Sequence, residues 1–297
     1  METLKTMFMG YIKEVAGIAK AATVIRPDNV YQEADKRILP YLDKMVDELI
    51  LPGSGVQGME HLEALLDRAE AGESCLLALE HYSNMDLSLF SRLVRLASPR
   101  GQALDDALVS IAGMKLSEDN PVVSAFASAY TRIIIYPSRS LASLDEERRK
   151  AELLRSNAIN RAATKMLLYL RGKGRVVLVF PSGTRYRPWD PSTKRGVREI
   201  DSYFRVFDWF CPVAFNGEVL HVRPGDMMED SVSPDLVLVT AGPVRSSSEF
   251  REERRAAAEA AGIEDKKQAV ADGIMAILED MHRSAEAERL RRLEALK

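Results

Sequence analysis

The chain has 297 residues, 46% of them hydrophobic and 29% charged, which suits one large domain or a main domain with a smaller companion. Its 41 Lys and Arg against 44 Asp and Glu leave a net charge of −3, so no global basic field argues for nucleic acid as a partner. Two cysteines, Cys75 and Cys211, lie far apart inside apolar runs and read as buried free thiols of a reducing compartment, which excludes a disulfide framework or a zinc spacing.

The first ten residues lack the apolar core and cleavage site of a signal peptide. The longest apolar runs, such as 176–181, fall far short of the roughly 20 residues that span a bilayer. These features predict a cytoplasmic protein that is soluble, or peripherally associated with a membrane. Residues 4–22 carry apolar side chains at helical spacing, including Met7, Phe8, Tyr11 and Ile12. That face is either the seam of a helical bundle or an amphipathic surface for a membrane. A second helix is expected over 30–50, kinked or split at Pro40. The Leu-Pro-Gly-Ser-Gly stretch at 51–55 reads as a linker. The organisation predicted is a helical N-terminal unit, 1–55, followed by an α/β domain, 56–297.

From there short apolar runs alternate with helical patterns. Helices are expected at 58–72, 87–97, 120–129 and 146–171, and strands at 74–79, 108–112, 132–136, 175–180, 210–215 and 236–241. The tail from 249 onward is helical and charged, with a break at 262–265. This alternation predicts a mostly parallel mixed sheet flanked by helices. Ligands of such sheets bind beyond the carboxyl ends of the strands, so the residues after each run carry the functional question.

Three run-ends stand out. The run at 74–79 ends in Glu80-His81-Tyr82-Ser83-Asn84-Met85-Asp86. A five-residue separation does not share a helical face, so His81 and Asp86 pair only if a loop turns between them, with Ser83 or Asn84 capping the helix that follows. Asp86 would then hold one imidazole nitrogen protonated while the other takes a proton from a substrate. The same residues also fit a polar loop that only caps a helix. The run at 132–136 ends in Pro137-Ser138-Arg139, where Arg139 is either an anion ligand or a solvated side chain. The run at 175–180 ends in Pro181-Ser-Gly-Thr-Arg-Tyr-Arg-Pro188. Arg185 and Arg187 alternate, so an extended segment sends both to one side, a grip for a phosphate. Gly183 allows close backbone approach, and its N–H is a candidate donor to an oxyanion or phosphate. A charged surface loop is the other reading of this segment.

The His81-x4-Asp86 block, followed by Phe180-Pro-Ser-Gly-Thr-Arg185, resembles the glycerolipid acyltransferase superfamily, with its H-x4-D and F-P-E-G-T-R-type blocks. The resemblance covers about 58–244 and includes Cys211-Pro-Val-Ala-Phe215, which is similar to the final proline-containing block. Within the superfamily the chain looks nearest to soluble, plastid-type glycerol-3-phosphate 1-acyltransferases, whose P-S-G-G-R-D-R-P segment matches 181–188 at six of eight positions. By this resemblance His81 and Asp86 are the catalytic pair, and Arg139, Arg185 and Arg187 hold the substrate phosphate. Glu80 stands where the family has Asn, Ser182 where most members have Glu, and Ile133 where an early glycine is expected. Arg139-Ser140 stands where the plastid-type enzymes have a Lys-His pair.

The activity the resemblance implies is acyl transfer from acyl-CoA or acyl carrier protein to glycerol 3-phosphate, with no metal or other cofactor. Lysophosphatidic acid is the alternative acceptor, and a non-catalytic protein holding a lipid or phosphorylated ligand is the reading of a different class. Lys194, Arg195 and Arg198 are candidates to meet the anionic carrier. His61, His221 and His282 read as structural or solvated. The chain contains neither a Gly-x-Ser-x-Gly elbow nor a Gly-x4-Gly-Lys-Ser/Thr loop.

Overall fold

The computed structural model describes residues 2–19, 24–114, 121–142, 145–225 and 227–296. Among the described residues twelve strands form in chain order: β1 (Glu2–Thr3), β2 (Tyr31–Gln32), β3 (Gly55–Gln57), β4 (Cys75–Leu79), β5 (Leu108–Gly113), β6 (Arg132–Ile135), β7 (Val176–Val179), β8 (Trp209–Asn216), β9 (Leu220–His221), β10 (Ser231–Val232), β11 (Leu238–Ala241) and β12 (Arg245–Ser246). The main sheet runs β2-β6-β5-β7-β4-β8-β11-β3, with β12 added against the start of β8. Strands β6, β5, β7, β4 and β8 are mutually parallel. Their carboxyl ends therefore share one edge, where His81, Pro181 and Asn216 emerge. Antiparallel partners close both sides: β2 on β6 and β11 on β8. A small antiparallel sheet, β1-β10-β9, lies apart from this one.

Parallel strands at the centre of such a sheet are covered on both faces, which is why they read as continuous apolar runs. The alternation of side chains then distributes each run between two cores. Cys75, Leu77 and Leu79 of β4 join one cluster, while Leu76 and Ala78 join the other. Val176 and Leu178 of β7 divide from Val177 and Val179 in the same way. The first cluster packs under helices Leu39–Leu49, Met59–Glu70 and Asp86–Ala97. The second packs under Glu146–Leu170, Ile200–Val206, Ser247–Ala260 and Lys266–Glu294. Burying each Leu or Val side chain here contributes about 1.5–3 kcal/mol, so the strand ends are held rigidly. Both cysteines are free and buried, and burial pushes the Cys75 thiol up to about 12.

The α/β architecture agrees with the sequence pattern, and several boundaries differ for identifiable reasons. The expected helix over 30–50 is strand β2 plus a helix confined to Leu39–Leu49. Pro40 stands in the first turn of that helix, where its missing N–H has no intrahelical partner to lose, so it starts the helix without kinking it. Residues 4–22 form two helices, Leu4–Met7 and Met9–Ile18; residues 20–22 lie outside the described segments, as does residue 120 of the helix that runs Pro121–Ala127. The N-terminal residues share the core of the larger part. Leu4, Phe8, Ile12 and Val15 belong to the cluster that contains β4, β1 pairs with β10, and the boundary expected at residue 55 falls inside β3. The face with Phe8 and Ile12 is therefore a buried seam, with Tyr11 and Met7 packed against it. Among the described residues no helix is long and apolar enough to cross a membrane.

Candidate active site

Strand β4 ends at Leu79, and the chain turns over Glu80–Met85 into the helix Asp86–Ala97. The turn is built around the Asp86 carboxylate, whose side chain is only 2% exposed. Its Oδ2 accepts the backbone N–H groups of Tyr82 at 2.6 Å and Ser83 at 2.9 Å, and Oδ1 accepts the Ser83 hydroxyl at 2.7 Å. Ser83 Oγ in turn accepts the Met85 N–H at 3.1 Å, so the serine caps the turn without being the helix N-cap residue. His81 Nδ1 lies 2.9 Å from Asp86 Oδ2. A carboxylate that already takes these donors fixes the tautomer: Nδ1 carries the proton and donates it to Asp86. Nε2 keeps its lone pair, and no partner meets it among the described residues. The His81 ring stacks on Phe180, centroids 3.9 Å apart at 20°, which leaves its side chain 17% exposed. A histidine oriented by a buried carboxylate and open at its other nitrogen is the arrangement of a general base.

The segment after β7 is tied to this turn through its backbone, since the Tyr186 N–H donates to the His81 carbonyl at 2.9 Å. Gly183 sits in the left-handed region, φ 65°, where an L side chain is strained, and a Cβ there would press on Val197 at 3.1 Å. Its N–H donates to the Phe180 carbonyl at 2.8 Å and closes a tight turn. The expected role of that N–H as an oxyanion donor is thus not available in this conformation, because a single N–H already has an acceptor at full hydrogen-bond distance. Ser182 is buried and donates its hydroxyl to the Thr184 carbonyl at 2.7 Å, a turn-forming contact.

The three arginines differ. Arg185 is mostly buried and donates from Nη1 to Asp230 Oδ2 at 2.8 Å, a carboxylate with no solvent exposure. Arg187 is half-buried, and its backbone N–H is held by Thr193 Oγ1 at 2.9 Å. Arg139 is exposed on the short helix Ser138–Ala142 and reaches the Arg195 carbonyl at 3.2 Å. Among the described residues no carboxylate pairs with Arg139 or Arg187. The structure therefore joins His81, Asp86 and the 180–187 segment directly, and brings Arg139 only to the far end of the same loop.

Sequence reasoning missed several partners. Asp230, which neutralises Arg185, immediately precedes β10 of the small antiparallel sheet and also accepts the Arg223 N–H at 2.9 Å. The helix Lys266–Glu294 lies over the loop after β7. Gly196 makes that approach feasible, since a Cβ would come within 2.9 Å of the Ala271 carbonyl. Lys194, Arg195 and Arg198, expected to face an anionic carrier, are instead paired along this helix with Glu279, Asp272 and Asp265. His282 on the same helix reaches Glu80 Oε2 at 3.0 Å and the Tyr82 hydroxyl at 3.2 Å. The available signal was Glu80 itself, a carboxylate at the end of a buried strand that requires a partner. His61 and His221 are local: His61 lies 3.9 Å from Glu60, and His221 Nε2 is 2.7 Å from Ser233 Oγ.

Comparison with known proteins bears on this geometry. Residues 55–225, more than half of the chain, match the family model described as Acyltransferase. The chain belongs to the acyltransferase family. The matched stretch runs from β3 to just beyond β9, and in this acyltransferase it holds both the His81–Asp86 turn and the 180–187 segment. The coarse chemistry that this family performs is acyl transfer. No curated protein sequence matches the chain. Among solved structures, the 1-acyl-sn-glycerophosphate (LPA) acyltransferase PlsC from Thermotoga maritima is similar at 14% identity and a TM-score of 0.46, covering 93% of this chain and 95% of that one.

Proposed function

We propose that this acyltransferase moves a fatty acyl group from an acyl-CoA or acyl carrier protein thioester to a hydroxyl of glycerol 3-phosphate, with His81 as general base. The observation that carries the reading is the 2.9 Å contact between His81 Nδ1 and the buried Asp86 carboxylate, with Nε2 left open. As the acceptor oxygen attacks the thioester carbonyl, its proton passes to Nε2. The imidazolium that forms is stabilised by Asp86. Collapse of the tetrahedral intermediate breaks the C–S bond, and the departing thiolate takes the proton back from Nε2. The products are an ester and a free thiol, and His81 is regenerated. General base catalysis of this kind is worth about 10² to 10⁴ in rate.

Arg187 and Arg139, which have no carboxylate partner among the described residues, are the cations proposed to receive the phosphate. Arg185 contributes by holding the loop through Asp230, with its remaining donors available to the same anion. Holding the phosphate fixes the acceptor hydroxyl against His81 and turns a bimolecular step into a positioned one.

The test is thiol release from acyl-CoA and from acylated carrier protein with glycerol 3-phosphate or lysophosphatidic acid, on wild type and His81→Ala. Acceptor-dependent release with glycerol 3-phosphate, lost in the variant, is the expected result. Release with lysophosphatidic acid alone would replace the acceptor, and no release with any pair would overturn the enzymatic reading.

A further inference from the structure

We propose that His282, on the C-terminal helix beyond the family-matched region, is a positioning residue for the His81–Asp86 pair and acts through Glu80 and Tyr82. The proposal rests on His81 being the general base. Glu80 is 4% exposed at the last position before His81. Its Oε2 accepts the Phe215 N–H of β8 at 2.9 Å and faces His282 Nδ1 at 3.0 Å, while Oε1 accepts the Tyr82 hydroxyl at 3.2 Å. A buried carboxylate is stable only when paired and hydrogen-bonded, and the described charge opposite it is His282.

Tyr82 carries the coupling. Its side chain is held by Glu80 and His282, and its backbone N–H is the 2.6 Å donor to Asp86 Oδ2. A second route runs through its ring, which meets Tyr186 edge-on at 6.1 Å and 82°. Tyr186 in turn holds the His81 carbonyl. Both routes start at His282 and end on the two members of the pair. His282 is itself anchored, since Asn216 Nδ2 donates to its carbonyl at 3.0 Å and to Glu286 at 2.8 Å. Lys194, paired with Glu279 one turn earlier, lies against the same face.

The charge state follows from these neighbours. Burial works against an imidazolium at His282, and Lys194 does the same. The hydrogen bond and charge of Glu80, aided by Glu286, outweigh both and raise its pKa above the ordinary 6.5. Deprotonation, as pH rises through that raised pKa, leaves the Glu80 carboxylate buried without a counter-charge, next to the turn that positions His81.

The experiment uses the full chain and four variants: His282→Ala, His282→Gln, Glu80→Gln, and the Glu80→Gln/His282→Ala double. His282→Ala is expected to lower kcat about ten- to a hundred-fold, with KM for both substrates within about two-fold, because only alignment is lost. His282→Gln keeps a donor to Glu80 and restores part of kcat. In the double variant the second change costs far less than it does alone, since no buried charge remains to be stranded. Wild type is expected to lose kcat as pH rises through the His282 pKa, Glu80→Gln is expected to lack that fall, and the His282 imidazole pKa, read by NMR, drops there. Unchanged kcat in His282→Ala, additive effects, or losses that track Tm alone would overturn the proposal. If wild type transfers no acyl group to any acceptor, the proposed function falls, and the coupling is judged by NMR. A shift of the His81 Nδ1–H resonance in His282→Gln supports it, and an unmoved resonance refutes it.

Discussion

Replacing Asp86 by asparagine and by alanine separates what its charge does from what its hydrogen bonds do. The carboxylate, 2% exposed, accepts His81 Nδ1–H, two backbone N–H groups and the Ser83 hydroxyl. Asparagine can place its carbonyl oxygen at the Oδ2 position and keep the three N–H donors. Its amide then faces Ser83 Oγ, which has lone pairs to accept. The fold is retained, and the loss is confined to charge-assisted bonds becoming neutral ones, about 1 kcal/mol each. The imidazolium formed during transfer loses its counter-charge, so kcat should fall about 10² to 10⁴ while KM and secondary structure hold. Alanine instead strands the Tyr82 and Ser83 N–H groups in a buried turn at about 1–3 kcal/mol each, or about 2–6 kcal/mol together. Against a total stability of about 5–15 kcal/mol, that lowers Tm by an amount on the order of 10 °C. Thermal melts and thiol release on the two variants read both quantities. An asparagine variant that keeps kcat within about three-fold of wild type would refute the assignment of Asp86 as the group that orients and charges the base.

Other outcomes follow from the same geometry. His81→Ala should cut turnover by about 10² to 10⁴ with a smaller change in Tm than Asp86→Ala, because Asp86 keeps the Tyr82 and Ser83 donors; retained turnover would exclude His81 as the base. Arg187→Ala should raise KM for the phosphorylated acceptor about ten- to a hundred-fold at unchanged Tm. Arg185→Ala should instead lower stability by about 3–5 kcal/mol, since it leaves the fully buried Asp230 without its cation; urea denaturation distinguishes the two arginines. The His282 pKa is raised by folding, so its stabilisation is fully present below the unfolded value near 6.5 and is lost as pH rises through the folded one. The Tm difference between wild type and His282→Gln should accordingly be larger at pH 6 than at pH 9.

What the sequence by itself determined lies within short windows. The apolar runs of β4 and β7, the glycine break between the two C-terminal helices and the turn chemistry of 81–86 are all encoded by residues a few positions apart. Parallel strands buried on both faces must be apolar throughout, and the superfamily's blocks follow them directly, so the two central strand ends were legible before any coordinates. Tertiary structure decided everything that depends on distant partners. Strands β1 and β2 are two residues long and exist only because β10 and β6 accept them. No periodicity announces a strand that short. Arg185 read as a phosphate ligand until Asp230, 45 residues away, took one side of it. The basic residues 194–198 read as a docking face until the helix Lys266–Glu294 laid its acids along them. His282 read as structural or solvated with no partner named, until the fold brought it across 202 positions to Glu80. In each case the local sequence specifies a charge, while burial and the opposing charge are set by long-range packing, and it is that packing that decides whether the charge binds a substrate or holds the protein together.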